Sequence, residues 1–311
     1  MNSAPHHNIL SPRVIIPFII VTLIWSSTWI VIRSQLGVVP PSWSVVYRFV
    51  VGAVAMFAYA IVTKQPLKLG GEGQRFAFLF GVAQFVWNFN FVYRAEAYVT
   101  SGLVAVVFAL LFVPNTILAR VFLGQRITQR FLVGSAVAVC AIGMLFLNEA
   151  LAHPHNHNAT ILGVALTFCG VMGASVANVM QATQRARAMP MASLIGWGMI
   201  WGSVVNATYA YASAGPPVID LRPHYIFGVL YLAVAASAVS FTLYFGVIRA
   251  IGPSKAAYSS VAIPVLAMLI STLFEGYRWT ILGVTGGLLG LTGLLIALSA
   301  SSQGTRPPTS K

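Results

Sequence analysis

Runs of mainly apolar residues, each about 20 long, alternate along the chain with short breaks that hold Gly, Pro and charged side chains. A helix needs about 20 apolar residues to cross the hydrocarbon core of a bilayer. The runs therefore predict ten membrane spans: Val14 to Ile32, Trp43 to Val62, Phe76 to Tyr93, Ser101 to Phe122, Phe131 to Asn148, Thr160 to Met180, Met191 to Tyr211, Tyr225 to Ile248, Ala256 to Phe274 and Ile281 to Ser299. Lipid offers no partner to backbone N–H and C=O groups, so each run must be helical, and the breaks are too short to fold separately. The fold class is an all-α membrane protein of one bundle. The first run is longer than a signal-peptide core and no small-residue cleavage site follows Arg33, so it is expected to be retained.

Composition agrees with the pattern. Hydrophobic residues make up 58% of the chain and charged ones 7%, against roughly a quarter charged in soluble domains. A net charge of +13 would suggest nucleic acid in a soluble chain, but here the basic residues sit at helix ends, where the bilayer explains them. No nucleic-acid partner is expected. With a cytoplasmic N-terminus, thirteen Lys and Arg fall in inner segments and only Arg33, Arg94, Arg222 and Arg278 in outer ones. That bias over short loops puts both termini in the cytoplasm. Cys140 and Cys169 lie inside spans, where a cysteine is a small hydrophobe.

The chain also repeats. An offset of 152 residues lays Phe122, Gly124, Arg126, Thr128 and Gly134 over Phe274, Gly276, Arg278, Thr280 and Gly286. Five identities in thirteen positions exceed the roughly one expected from average residue usage. Pro41 and Arg48 share the spacing of Pro190 and Trp197, aligning the second span with the seventh. The expected organisation is an N-terminal five-helix repeat over residues 1–150, a C-terminal one over 151–303 and a cytoplasmic tail over 304–311. Five is odd, so the second repeat enters the membrane inverted, an arrangement that gives alternating access around a midplane site.

The segments Leu23 to Ser34 (LIWSSTWIVIRS), Tyr47 to Phe49 (YRF), the matched FLGQRIT and FEGYRWT, and Ile251 to Leu269 (IGPSKAAYSSVAIPVLAML) are similar to the drug/metabolite transporter superfamily, specifically the EamA family. The resemblance covers about residues 14 to 300 and implies a ten-span, five-plus-five transporter, with YddG-type exporters of aromatic amino acids as the subfamily suggested. The chain departs from the family's Gly-Glu-Arg at Gln125 and Tyr277. Pro114 lies ten residues before Gly124, whereas Pro264 lies twelve before Gly276.

Candidate site residues follow from helical spacing. Gln84, Trp87, Asn88 and Phe91 fall at i, i+3, i+4 and i+7, which puts two amides and two aromatics on one face. Such a stripe either lines a polar cavity or makes interhelical hydrogen bonds of about 0.6 kcal/mol each; the resemblance places the third helix at the centre and favours the cavity. Arg48 lies well inside the second span, where a charge costs about 2.5 to 3.5 kcal/mol on insertion scales. It either clamps a substrate carboxylate or serves structure, through Glu96, Glu275 or helix-end carbonyls. Trp25 and Thr28, Asn115, Ser175 and Asn178, Ser237, Ser240 and Tyr244, and Tyr258 complete the expected cavity lining, with Pro264 as the hinge. The glycines of the tenth span, Gly283, Gly286, Gly287, Gly290 and Gly293, suit packing within a monomer or a homodimer interface. His153, His155 and His157 alternate in a loop read as solvated, and no metal or cofactor is expected. Asn158-Ala159-Thr160 fits a glycosylation sequon but abuts a span.

No acid or histidine lies deep within a span, although a proton-driven antiporter would normally carry one near the midplane. The chain has no phosphate loop for ATP hydrolysis. Gly173 to Val176 resembles a serine-protease motif, but no span supplies a histidine base, so no enzyme is expected. The reading is a facilitator in the inner membrane that exports small metabolites, amino acids first and aromatic ones favoured. The rivals are a proton-coupled multidrug antiporter and, from another class, an intramembrane enzyme or a structural membrane protein.

Overall fold

The computed structural model describes residues 11–124, 127–152, 157–251, 253–256, 262–274, 276 and 279–299. Among them there is no strand. The long helices are α1 (Pro12–Ser34), α2 (Pro41–Val62), α3 (Gly71–Ala95), α4 (Ser101–Leu123), α5 (Gln129–Ala152), α6 (His157–Ala182), α7 (Met191–Ala214), α8 (Pro223–Ala250), α9 (Ala262–Phe274) and α10 (Ile281–Ser299). Short helices Gln184–Arg187 and Pro253–Ala256 join two of the pairs. Proline opens α1, α2 and α8, where its missing N–H deprives no intrahelical bond.

By length and composition, α1 to α4, α6 and α8 can each cross a bilayer. Leu132–Leu145 in α5 and Ile281–Gly293 in α10 are shorter apolar stretches. Side chains such as Ile16, Leu23, Val54, Val121 and Leu288 are exposed on the perimeter, a surface that suits lipid rather than water. Of the expected ninth span, Ala256 belongs to the short helix and Ala262–Phe274 forms α9, while residues 257–261 lie outside the described residues.

The two halves share local devices. Gly124 after α4 and Gly276 after α9 both adopt left-handed backbone, with φ of +67° and +70°. That conformation is open to glycine at little cost and ends a helix. They stand at the offset that aligns the sequence halves. π-Helical turns interrupt α3 at Val82–Asn88 and α8 at Val234–Val239, starting at the same offset.

Packing repeats as well. The most extensive contacts are α2 with α7 and α5 with α10, each joining equivalent helices. The other main contacts exchange halves in pairs: α3 on α7 and α8 on α2, α1 on α9 and α6 on α4, α1 on α8 and α6 on α3. Contacts made by helices of one half are thus matched by contacts of their counterparts in the other.

Small residues set the closest approaches. A Cβ on Gly81 of α3 would stand 2.2 Å from the carbonyl oxygen of Gly198 in α7, so the two backbones touch there. A Cβ on Gly293 of α10 would lie 2.6 Å from the Ala138 nitrogen, and Gly286 and Gly290 face Ala141 and Leu145 of the same helix. Of the two uses open to the tenth-span glycines, these three serve packing within the chain.

Candidate functional site

The π-helical turns come first, because they decide which side chains meet. A π-turn holds more residues than an α-turn, so it rotates every later side chain and leaves carbonyls without their usual i+4 donors. Side chains supply the donors. In α3, Asn206 donates to the Phe85 carbonyl at 2.8 Å and Asn90 to that of Val86 at 2.8 Å, while Asn90 also donates to the Asn206 amide oxygen at 2.6 Å. In α8, Ser237 donates to Leu232 at 2.7 Å, Ser240 to Ala235 at 2.8 Å, and the Trp25 indole reaches from α1 to Ala236 at 3.1 Å.

The α3 turn lines one cavity of about 80 Å³ bounded by α1, α2, α3, α4, α6, α8 and α9, and the helix that follows the α8 turn faces the same space. Trp25, Thr28, Trp29 and Ile32 come from α1, Arg48 from α2, and Gln84, Asn88, Phe89 and Val92 from α3. Opposite them stand Ala105, Phe108, Ala109 and Leu111 of α4, Ala174 and Asn178 of α6, Phe241 and Tyr244 of α8, and Ile263 and Pro264 of α9. The aromatics interlock edge to face: Trp25 lies 4.9 Å from Tyr244 and 5.7 Å from Phe241 between ring centroids. Trp29 tilts against Phe108 at 5.3 Å.

Arg48 supplies the cation among the described lining residues. It is 2% exposed. Its Nε donates to the Ser237 hydroxyl at 3.0 Å, and its Cζ lies 4.5 Å from the Phe89 ring centroid and 5.4 Å from that of Phe49. The guanidinium meets the hydroxyls of Ser237 and Tyr93 and two rings where sequence offered acids. Glu96 instead accepts from the Ser101 hydroxyl at 2.9 Å, and Glu275 lies outside the described residues.

Four buried polar atoms of the cavity residues have no partner among the described residues: Arg48 Nη1, Trp29 Nε1, Gln84 Oε1 and Asn88 Oδ1. Native interiors pair nearly all such atoms, so a group of them around one space leaves hydrogen-bonding capacity free there. The two nitrogens donate and the two oxygens accept. No carboxylate, histidine or lysine lines the cavity among the described residues, and no His, Cys, Asp and Glu cluster there could hold a metal.

Of the expected lining, the structure brings Trp25, Thr28, Arg48, Gln84, Asn88, Asn178 and Tyr244 to the cavity, with Pro264 in its wall. Ser237 and Ser240 sit behind it, bonding the π-turn, and Ser237 holds Arg48. Trp87 is 42% exposed and Phe91 does not reach the cavity, because the π-turn replaces the α-helical face by Gln84, Asn88, Phe89 and Val92. Asn115 and Ser175 are fully buried off the cavity. Tyr258, like His153 and His155, lies outside the described residues. Sequence reasoning passed over Trp29, one turn after Trp25, and Phe241, three residues before Tyr244; those spacings were the available signal.

Outside the helices, Arg222 clasps Asp220 with its Nη2 2.6 Å from Oδ2. The guanidinium and the Arg222 backbone N–H hold this carboxyl below the usual carboxylate range.

A solved crystal structure, 16% identical in sequence, superposes with a TM-score of 0.69 over 93% of this chain and 98% of that one, so the two share a fold. Protein PagO of Salmonella typhimurium is 25% identical over 265 residues, 84% of each chain. The transporter YoaV of Bacillus subtilis is 20% identical over 91% of this chain and 96% of its own. A probable terminal-alkyne amino-acid exporter of Streptantibioticus cattleyicolor is 24% identical over 65% of each. The EamA-like transporter family matches at residues 13–147 and again at 159–299. With two family segments covering nearly all of it, the chain belongs to the EamA-like transporter family.

Proposed function

We propose that the protein exports small zwitterionic metabolites, amino acids foremost and aromatic ones favoured, through the central cavity by alternating access. The observation that carries this reading is the set of partnerless buried atoms. Arg48 Nη1 and Trp29 Nε1 suit a carboxylate, and the amide oxygens of Gln84 and Asn88 suit an ammonium group. The rings of Trp25, Phe89, Phe108 and Phe241 surround these atoms with apolar surface. The relative named as an amino-acid exporter points the same way.

In this reading ten helices span the inner membrane as two inverted repeats, residues 1–150 and 151–303, with both termini in the cytoplasm. The exchange of helix contacts between halves supports two near-equivalent packings, one open to each side. Pro264, in the cavity wall on α9, is the hinge of that exchange. Transport is facilitated rather than proton-driven, since the described lining offers no carboxylate or histidine to carry a proton. A transporter family and relatives named as transporters argue against the enzyme and structural readings.

The test is counterflow of labelled amino acids into liposomes holding the purified chain. Saturable exchange of phenylalanine, tyrosine or tryptophan is expected, and inertness toward the whole panel overturns the proposal. Uphill accumulation driven by an imposed pH gradient alone overturns the facilitator clause and favours the proton-coupled antiporter.

A further inference from the structure

The polar cavity has a neighbour. A second cavity, of about 140 Å³, lies between α4, α5, α9 and α10, walled by side chains such as Leu110, Leu145, Met268 and Leu291. Among its described lining residues Trp279 is the one side chain with a hydrogen-bonding group, and its N–H donates to the Thr272 hydroxyl at 2.8 Å. This space therefore offers a ligand apolar contact alone.

Ala109 and Pro264 line both cavities. Between them stand the Pro264 ring and Ala109, whose side chain is one methyl group at the start of a 3₁₀ turn, Ala109–Leu111. On the polar side stand the donors and acceptors fitted to a charged headgroup; on the other side stands a dry space. That is the layout of a site for an amphipathic molecule.

We infer that the two cavities form one bipartite site, in which the zwitterionic head occupies the polar cavity and a large apolar side chain extends past Ala109 and Pro264 into the apolar one. This rests on the amino-acid reading above and sharpens it, making side-chain bulk the property selected. Gly287 is the lining position at which the second cavity can be filled. A Cβ at Gly286, Gly290 or Gly293 meets α5 atoms within 3.4 Å, whereas one at Gly287 meets nothing within 4 Å. Gly287 lines this cavity, and a Cβ placed there has open space around it.

The experiment is counterflow of labelled phenylalanine and alanine in proteoliposomes holding wild type, Gly287→Ala or Gly287→Leu. Filling an apolar pocket by even one methylene changes discrimination about 10-fold or more. The phenylalanine-to-alanine ratio should fall about 10-fold or more in Gly287→Leu and by less in Gly287→Ala. If Gly287→Leu does not fold, as judged by thermal unfolding in detergent, Val284→Phe narrows the same cavity and should lower the ratio likewise. An unchanged ratio overturns the inference while leaving the amino-acid reading standing. So does a variant that sheds a copurifying lipid chain but keeps the ratio, since the cavity would then be a lipid site. Wild type that moves neither amino acid overturns both readings.

Discussion

Replacing Arg48 by methionine separates a guanidinium that serves the substrate from one that serves the fold. The structure sets the terms on the folding side. The variant loses its hydrogen bonds to the Ser237 and Tyr93 hydroxyls, about 1 kcal/mol each, and the contact with the Phe89 and Phe49 rings, about 0.5 to 2 kcal/mol. It is relieved of a charge in the second span, about 2.5 to 3.5 kcal/mol on insertion scales. These terms cancel to within about 2 kcal/mol, and no buried anion is stranded, because Ser237 is neutral and still donates to Leu232. Thermal unfolding in detergent should therefore shift little.

Transport should not be spared. Removing the donor at Arg48 Nη1 takes away a charge-assisted bond to the carboxylate, about 1.5 to 3 kcal/mol, or roughly 10- to 150-fold in affinity. Competition against labelled phenylalanine by unlabelled phenylalanine and by phenethylamine, which lacks the carboxylate, reads this directly. Wild type should prefer the amino acid, and Arg48→Met should lose most of that preference. A variant that unfolds well below wild type, or that weakens both competitors equally, refutes the argument and makes Arg48 a structural residue.

Asn88→Leu should lower phenylalanine counterflow about 10-fold at near-normal expression, by removing an amide from the cavity wall; unchanged flux would reduce Asn88 to a packing residue. Gly81→Ala should destabilise the protein by about 1 to 3 kcal/mol or more, since its Cβ would stand 2.2 Å from the Gly198 oxygen, and an unshifted unfolding temperature would contradict that contact. Counterflow should be flat between about pH 5 and 8, the window in which histidines and raised carboxyls titrate. Asp220 does not disturb this: its carboxyl is held below its ordinary value by Arg222, so the bond contributes above that value and is lost only as pH falls into the strongly acid range. A sigmoidal or bell-shaped profile in the neutral window would show a titrating group in the transport cycle.

The placement of the helices was legible in the sequence because lipid permits few alternatives, so an apolar run of sufficient length reads directly as a helix. Gly124 and Gly276 were legible for a related reason: a left-handed helix end calls for glycine, and the two sit at the offset that relates the halves. Arg48, Gln84 and Asn88 stood out as polar groups where polarity is costly, and all three reach the cavity.

What was not legible was phase. Spacing arguments assume 3.6 residues per turn, and the residues of α3 and α8 give no outward sign of π-turns inside them. Trp87 and Phe91 belong on the face of Gln84 only in an uninterrupted α-helix; with Val82–Asn88 underwound, Phe89 and Val92 take that face and Trp87 turns outward. The same turns explain Ser237 and Ser240, which look like cavity hydroxyls by spacing but are consumed by the Leu232 and Ala235 carbonyls. A carbonyl released by a π-turn must find a donor, and in lipid that donor has to be a side chain. Around the turns and the cavity the polar residues therefore divide into two sets: Asn90, Asn206, Ser237 and Ser240 satisfy the backbone, while Arg48, Gln84 and Asn88, together with the Trp29 indole, keep an unpaired atom at the cavity. Only the second set has hydrogen-bonding capacity left to offer a substrate.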